Sequence, residues 1–181
     1  MKSFFILNDT QKKIADELKN NCNLILRQLD SGDAPLLAAF YENLSADSRV
    51  FFTPHKFDIP SLEKTVADFV KSGRHEAFLL TDCSGNIKAY FFLWNIDFPT
   101  PVLGIAVADA WQNKGVGGKL VRFLLEEARV QDRAAVELTV HPDNARAFHL
   151  YQKIGFKFSG MVERIMPNGK QVQQKEMFFR F

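Results

Sequence analysis

Hydrophobic positions along the chain follow two periods, one typical of β-strands and one typical of helices. Runs in which apolar and β-branched residues cluster or alternate predict strands at 23–29, 76–82, 87–96, 102–108 and 136–140. Two further strands flank Asn168-Gly169, a dipeptide typical of a hairpin turn. Apolar residues three or four positions apart predict helices at 34–43, 61–72, 115–129 and 144–153, the last ending at Gly155.

Two polar residues stand where helices are expected to begin. Asp33 precedes Ala34-Pro35 and is predicted to cap the helix at 34–43, while Ser45 is predicted to cap a short helix after it. The segment 1–21 has an apolar start and a helix-compatible run, and we expect it to be an N-terminal extension of a domain that spans 22–181.

The predicted helix at 115–129 joins the strand-like runs 102–108 and 136–140. Two strands that are joined through a helix are expected to lie parallel, whereas strands joined by hairpins lie antiparallel. The sequence therefore predicts one α/β domain with a mixed sheet, and it excludes a doubly wound dinucleotide-binding sheet.

Composition and charge narrow the classes of function. The chain has 181 residues, of which 46% are hydrophobic and 24% charged, as in an ordinary single domain. A net charge of +2 lacks the strong positive charge of a dedicated nucleic-acid-binding domain. The two cysteines, Cys22 and Cys83, form no C-x-x-C pair, and the four histidines show no metal-ligand spacing. We therefore expect no nucleic-acid partner, no disulfide framework and no metal.

No apolar run approaches the ~18–20 residues that a membrane helix needs. The apolar run 4–7 is also shorter than the ~7–15 residues of a signal-peptide core. We therefore expect a cytoplasmic protein without a membrane partner.

A glycine-rich turn lies between the strand at 102–108 and the helix that follows it. It consists of Gln112, Asn113, Lys114, Gly115, Val116, Gly117 and Gly118. Glycines let a backbone turn tightly and approach a ligand closely, and the first N–H groups of a helix bind phosphate oxygens. Lys114 and Lys119 are expected to add positive charge. Neither the P-loop pattern nor the G-x-G-x-x-G fingerprint fits, because Leu120 occupies a position that both assign to other residues. The alternative is a tight connection that binds no ligand.

A second group of residues follows the strand at 136–140. Asn144, Phe148 and Tyr151 share one face of the predicted helix. Asn144 suits either a helix cap or a ligand contact, and Tyr151 suits either a core position or a proton donor. A phenol with a pKa of ~10 is an appropriate donor to a departing thiolate.

Together these two segments resemble the GCN5-related N-acetyltransferase family. Residues 112–117 match its Q/R-x-x-G-x-G/A motif, and residues 144–156 match its N-x-x-A/S-x-x-x-Y-x-x-x-G-F motif. Residues 29–33 and 40–45 resemble the first strand and the acceptor-side helices of the family, and the resemblance extends over about 23–181. It implies an acyl-CoA N-acyltransferase fold, with a mostly antiparallel sheet, one parallel strand pair that splays apart, and helices on both faces.

The resemblance also implies the activity and the roles of several residues. Members of the family transfer an acetyl group from acetyl-CoA, the cosubstrate, to a primary amine. The turn from Gln112 to Gly118 would bind the pyrophosphate, and the strand around Ile105 would pair with the pantetheine arm. The Val107 N–H would face the developing oxyanion, Asn144 would contact the cosubstrate, and Tyr151 would act as the general acid.

The two motifs do not identify the general base or the residues that contact the acceptor. Many members carry a Glu on the strand before the glycine turn, but this strand has no acid. Asp97, Glu137 and His141 are the candidate substitutes. His55 and Tyr41 lie in segments that resemble the acceptor side, and we expect them to contact the substrate.

Several functions stay open at this point. The first is acetylation of a small-molecule amine, with a protein N-terminus or lysine as a variant acceptor. The second is a non-catalytic module that binds or senses acyl-CoA, and the third is a purely structural α/β domain. We expect the protein to be a monomer or a homodimer.

Overall fold

Seven strands form one mixed sheet in a computed structural model that describes residues 6–181. The strands are β1 (Ile25–Gln28), β2 (Glu76–Thr81), β3 (Ile87–Trp94), β4 (Val102–Val107), β5 (Ala135–Val140), β6 (Lys157–Ile165) and β7 (Gln171–Arg180). The helices are α1 (Asp9–Cys22), α2 (Ala34–Glu42), α3 (Ala46–Phe51), α4 (Ile59–Lys71), α5 (Val116–Val130) and α6 (Ala145–Ile154), with a 3₁₀ turn at Asp109–Trp111.

The strand order is β1-β2-β3-β4-β5-β7-β6, and every neighbouring pair is antiparallel except β4 and β5. The predicted mixed sheet and its parallel pair are therefore confirmed. Among residues 6–181, the only register pair between β4 and β5 is Val102 with Glu137. The two strands therefore separate beyond that pair, as the resemblance implied.

The core lies on both faces of the sheet because the side chains of β3 alternate. Ala89, Phe91 and Leu93 pack with residues of α1 and α5, whereas Tyr90 and Phe92 pack with residues of α2 and α4. The predicted placement of helices on both faces is thus confirmed.

Helix α1 runs antiparallel to α5 and belongs to the same core. The Asn8 side chain donates to Glu126 at 3.1 Å, and Lys119 donates to Glu17 near the opposite end of α1. Leu18 is fully buried. The division of the chain at residue 21 stays a prediction, and residues 1–5 of the expected extension lie outside the described residues.

A buried polar cluster joins α1, α5 and β2. The Gln11 amide of α1 donates to Glu127 of α5 at 2.5 Å. Gln131, which follows α5, donates to Glu127 at 2.8 Å and to Glu76 of β2 at 2.7 Å. Two carboxylates thus share one amide donor in a site that is largely closed to water.

Two local predictions have different outcomes. Ser45 caps α3, since its side chain accepts from the Ser48 N–H at 3.2 Å. The prediction that Asp33 caps α2 is wrong, because both of its carboxylate oxygens accept from Arg27 at 2.7 Å. Asp33 also accepts from the Asp30 N–H at 2.7 Å, so it fixes the turn before α2 rather than the helix end.

Helix α4 begins two residues before the amphipathic run that predicted it. Asp58 accepts from the Ser61 N–H at 3.0 Å, and Pro60 occupies the first turn, where its missing N–H costs nothing. None of the helices within residues 6–181 is both long and apolar enough to cross a lipid bilayer.

Candidate active site

A cleft opens where β4 and β5 separate, and its volume is about 450 Å³. One wall is the segment 51–54 after α3, and another is the hairpin between β6 and β7, from Arg164 to Pro167. Helix α6 closes a third side with Asn144 at its N-cap and with Ala147 and Tyr151 along it. A cleft of this size, mostly apolar and with a few polar groups, is typical of a small-molecule site.

The edge of β4 that faces the cleft carries backbone groups for a strand-like ligand. The Ala108 N–H donates to Lys88 of the β3 side at 2.8 Å, and the Glu137 N–H of β5 donates to the Pro101 carbonyl at 3.0 Å. Because hydrogen-bonding direction alternates along a strand, Ile105 and Val107 direct their N–H groups toward the separated β5. This direction is compatible with the predicted roles of both residues, whose contact with a ligand stays a prediction.

The glycine turn presents a row of backbone donors at the start of α5. Gly115 has a φ of 77° and Asn113 a φ of 59°, so both lie in the left-handed region that a tight turn requires. Within the part of the chain that the structure describes, the N–H groups of residues 113–118 donate to no protein acceptor. Such donors, at the positive end of a helix dipole, fit a diphosphate group.

The lysines near the turn have protein partners. Lys119 forms an ion pair with Glu17 of α1, and this contact lowers the pKa of Glu17. Lys114 places its ammonium 5.1 Å from the centre of the Trp111 ring. Lys114 therefore stays close to the turn, whereas the charge of Lys119 is largely balanced by α1.

A hydrogen-bond network connects the glycine turn with the helix that precedes the 51–54 wall. Asp109 accepts from the N–H and the hydroxyl of Ser45, at 2.8 and 2.9 Å, and from the Ser48 hydroxyl at 2.6 Å. The Gln112 side chain donates to the Val107 carbonyl at 2.9 Å and to Ser48 at 3.2 Å. The side chain of Gln112 thus holds the end of β4 and the start of α3 together.

Tyr151 and Asn144 both line the cleft. Tyr151 is 8% exposed, and burial raises its pKa above the ordinary value for a phenol. A phenol with a raised pKa keeps its proton at neutral pH, so it is a donor rather than a base. Asn144 caps α6, since its side chain accepts from the Ala147 N–H at 3.1 Å, so the cap interpretation of this residue is confirmed.

Comparison with known proteins identifies the family. Residues 37–156 match the family model described as "Acetyltransferase (GNAT) family". The chain belongs to this family. The match confirms the resemblance seen in the two motifs, and it makes the protein an acetyl-CoA-dependent N-acetyltransferase by class.

Two curated GNAT relatives illustrate the similarity. Spermidine N(1)-acetyltransferase of Vibrio cholerae is 26% identical over 163 residues, which cover 87% of this chain and 93% of that protein. L-amino acid N-acetyltransferase AaaT of Escherichia coli is 38% identical over 71 residues, which cover 38% of this chain and 44% of that protein. The two relatives are named for different acceptors.

Solved structures show the GNAT fold. The structure of spermidine N-acetyltransferase from Vibrio cholerae in complex with CoA and spermine has a TM-score of 0.71 at 21% identity, covering 87% of this chain and 95% of that one. A dodecameric structure of spermidine N-acetyltransferase from Vibrio cholerae has a TM-score of 0.68 at 22% identity, covering 87% and 94%. The predicted acyl-CoA N-acyltransferase fold is confirmed.

Among the candidate bases of this GNAT protein, Glu137 lines the cleft. Its carboxylate is half-buried, and burial raises its pKa, while the charge of Arg164 acts in the opposite direction. A carboxylate with a raised pKa is a better proton acceptor near neutral pH than an ordinary Glu.

The other two candidate bases have different surroundings. Asp97 pairs with Arg74 at 3.2 Å and does not belong to the described lining of the cleft. The His141 ring accepts from the Asp143 N–H at 3.3 Å, and it packs 5.3 Å from the ring of Phe51, which does line the cleft. Of the three candidates, Glu137 is the one that the structure places in the cleft wall.

The structure places both predicted substrate residues against Phe57. Tyr41 stacks on this ring at 3.9 Å, and the His55 ring centre lies 4.5 Å from it. The His55 Nδ1 donates to the Lys56 carbonyl at 2.9 Å, so its Nε2 accepts from the Tyr90 hydroxyl at 3.3 Å. Burial lowers the pKa of His55, which favours the neutral ring. Neither residue belongs to the described lining, and their contact with a substrate stays a prediction.

The cleft residues that sequence reasoning missed include Thr53, Gly104 and Arg164. Gly104 had a signal, because a glycine inside a strand marks a close approach, and an added Cβ would lie 2.1 Å from the Phe92 ring. Thr53 had an indirect signal, because it lies two residues before His55 in the segment that resembles the acceptor side. Arg164 had none, because a distant hairpin brings it to the cleft.

Proposed function

We propose that this protein transfers the acetyl group of acetyl-CoA directly to the primary amine of a small molecule, in a ternary complex. The supporting observation is that one cleft combines unpaired strand N–H groups, a carboxylate with a raised pKa and a buried phenol. Several relatives are named for small-molecule amines, including spermidine, spermine and L-amino acids, and this supports the same acceptor class.

The backbone supplies most of the binding groups. The N–H groups of residues 113–118 would hold the diphosphate, and Gln112 would keep the turn in place through the Val107 carbonyl. Ile105 and Val107 would pair with the pantetheine arm as a partner strand does, in the way that peptides add to an open sheet edge. Asn144 would border the arm from the start of α6.

The chemistry requires a base, an oxyanion donor and an acid. The cosubstrate supplies a thioester, whose carbonyl carbon forms a bond with the amine nitrogen while its bond to sulfur breaks. Glu137 would accept the proton of the amine, directly or through water, and the Val107 N–H would donate to the carbonyl oxygen as negative charge develops. Tyr151 would give its proton to the departing sulfur.

Two experiments test this proposal. Calorimetry should detect binding of acetyl-CoA, and a thiol-release assay with a panel of primary amines should detect free CoA. Binding without release for any amine would contradict the proposal and favour a non-catalytic acyl-CoA module. The predicted monomer or homodimer and the predicted cytoplasmic location stay predictions.

A further inference from the structure

The charge of the cleft limits the acceptors that it can hold. Among the described lining residues, the charged side chains are Glu137 of β5 and Arg164 of β6. Arg164 and Glu176 both act on Glu137 electrostatically, and Glu176, which also pairs with Arg164, lies outside the described lining, so the lining itself presents one negative and one positive group. A polyamine carries several positive charges and needs several carboxylates, which this lining does not supply.

Arg164 has the capacity to bind an anion. Its guanidinium donates to Glu176 at 3.4 Å, a long contact that uses one of five N–H donors, and its side chain is 44% exposed. A planar guanidinium binds a carboxylate through two parallel hydrogen bonds. The remaining donors are therefore suited to a carboxylate that enters the cleft.

Thr53 provides a second, independent indication of a polar ligand. Its hydroxyl is buried in the cleft wall and has no hydrogen-bond partner among the described residues. A buried hydroxyl without a partner is destabilising, so a ligand atom that bonds to it would recover that free energy. Thr53 lies in the segment after α3, and Arg164 lies on β6, so two different walls of the cleft offer polar contacts.

Much of the remaining lining of the cleft is apolar. Phe51, Phe92 and Trp94 contribute aromatic surface, and Ile165 and Met166 contribute aliphatic surface from the hairpin. An acceptor with an apolar body would bury that body here, and a long, highly charged chain would lose hydration without compensation.

From these walls we infer that the acceptor is an apolar α-amino acid or a close derivative. Its amine would face Glu137, its carboxylate would bind Arg164 and Thr53, and its side chain would pack against Phe92 and Trp94. This inference rests on the proposed function and narrows its substrate class.

The test compares each amino acid with the amine that lacks its carboxylate. Leucine, methionine and phenylalanine are assayed by thiol release with saturating acetyl-CoA, beside isoamylamine, 3-methylthiopropylamine, phenethylamine and spermidine. Rates are normalised to the unprotonated fraction of each amine. The expected kcat/KM is at least about tenfold higher for each amino acid than for its amine, because one bidentate ion pair is lost.

Arg164→Gln separates carboxylate binding from general effects. It should raise KM for the amino acids about tenfold or more relative to its effect on the decarboxylated amines, because any change in the pKa of Glu137 acts on both kinds of acceptor. Arg180→Gln is the matched control, since Arg180 is exposed at the end of β7 and outside the described lining of the cleft. Arg180→Gln should leave KM unchanged for the amino acids and for the decarboxylated amines.

Each outcome either supports or overturns the inference about the acceptor. Equal or better turnover of the decarboxylated amines, or of spermidine, would overturn this inference and leave the proposed function intact. Equal losses for acids and amines in Arg164→Gln would also overturn it. Failure to bind acetyl-CoA would instead contradict the proposed function itself, and this inference with it.

Discussion

Tyr151 combines burial, a raised pKa and a position in the cleft wall, and its proposed role depends on one hydroxyl. Tyr151→Phe removes that hydroxyl and keeps the ring against Phe156, 5.7 Å away. We expect kcat to fall by about 100-fold, the range of a general acid, while the Kd for acetyl-CoA stays the same. Steady-state kinetics and calorimetry measure the two quantities. An unchanged kcat would contradict the proposed role of Tyr151 as the general acid.

Gly104 has a different function, since it makes room for the Phe92 ring of the neighbouring strand. Gly104→Ala should lower the free energy of unfolding by about 1–3 kcal/mol, because the new methyl group would overlap the ring. Urea denaturation measures the loss. Gly32→Ala is the matched control, since nothing lies within 4 Å of an added Cβ at Gly32. Equal losses in the two variants would contradict the steric explanation.

At the scale of elements, the start of α5 is proposed to bind a diphosphate. An added Cβ at Gly117 would lie at ordinary contact distance from Leu150, 3.5 Å, so a side chain fits there. Gly117→Asp should therefore weaken acetyl-CoA binding about tenfold or more through its charge, whereas Gly117→Asn, of equal size, should weaken it less. Calorimetry on both variants measures the difference. Equal affinities would contradict phosphate binding at this turn.

The elements near the site differ in how far the sequence could predict them. The glycine turn and the parallel pair were predictable because a short local pattern determines each of them. Asp109 was not, because its partners Ser45 and Ser48 lie more than sixty positions earlier. Asp33 was mispredicted for a different reason: its carboxylate was expected at a helix end, but an arginine only six positions earlier, Arg27 on β1, binds it instead.

Helix α1 also shows that the sequence does not reveal which elements pack together. Its helical period was visible, but a period does not reveal what the apolar side packs against. The structure places Leu18 in the core beside α5. The family model begins at residue 37 and does not reach this helix.

At the scale of the whole molecule, the polar cluster between α1, α5 and β2 makes stability depend on pH. Burial, and then the charge of Glu127, raise the pKa of Glu76 from 4.5 to about 7. The folded state thus holds this proton more strongly than the unfolded chain does. The free energy of unfolding should therefore be highest below pH 4.5 for this group, and it should fall as the pH rises toward 7.

Urea denaturation between pH 5 and 8 tests this dependence. Glu76→Gln replaces the carboxyl group by a neutral amide of the same shape, so it should flatten the decline and stabilise the protein at pH 8. An equally steep decline in both proteins would show that other groups are responsible.

The chain has two tryptophans, and both lie at the proposed site. Trp94 lines the cleft, and Trp111 stands beside Lys114 at the glycine turn. Intrinsic fluorescence therefore reports on both halves of the site without any attached dye. Trp94→Phe and Trp111→Phe would assign a spectral change to the acyl end or to the diphosphate end of the bound molecule.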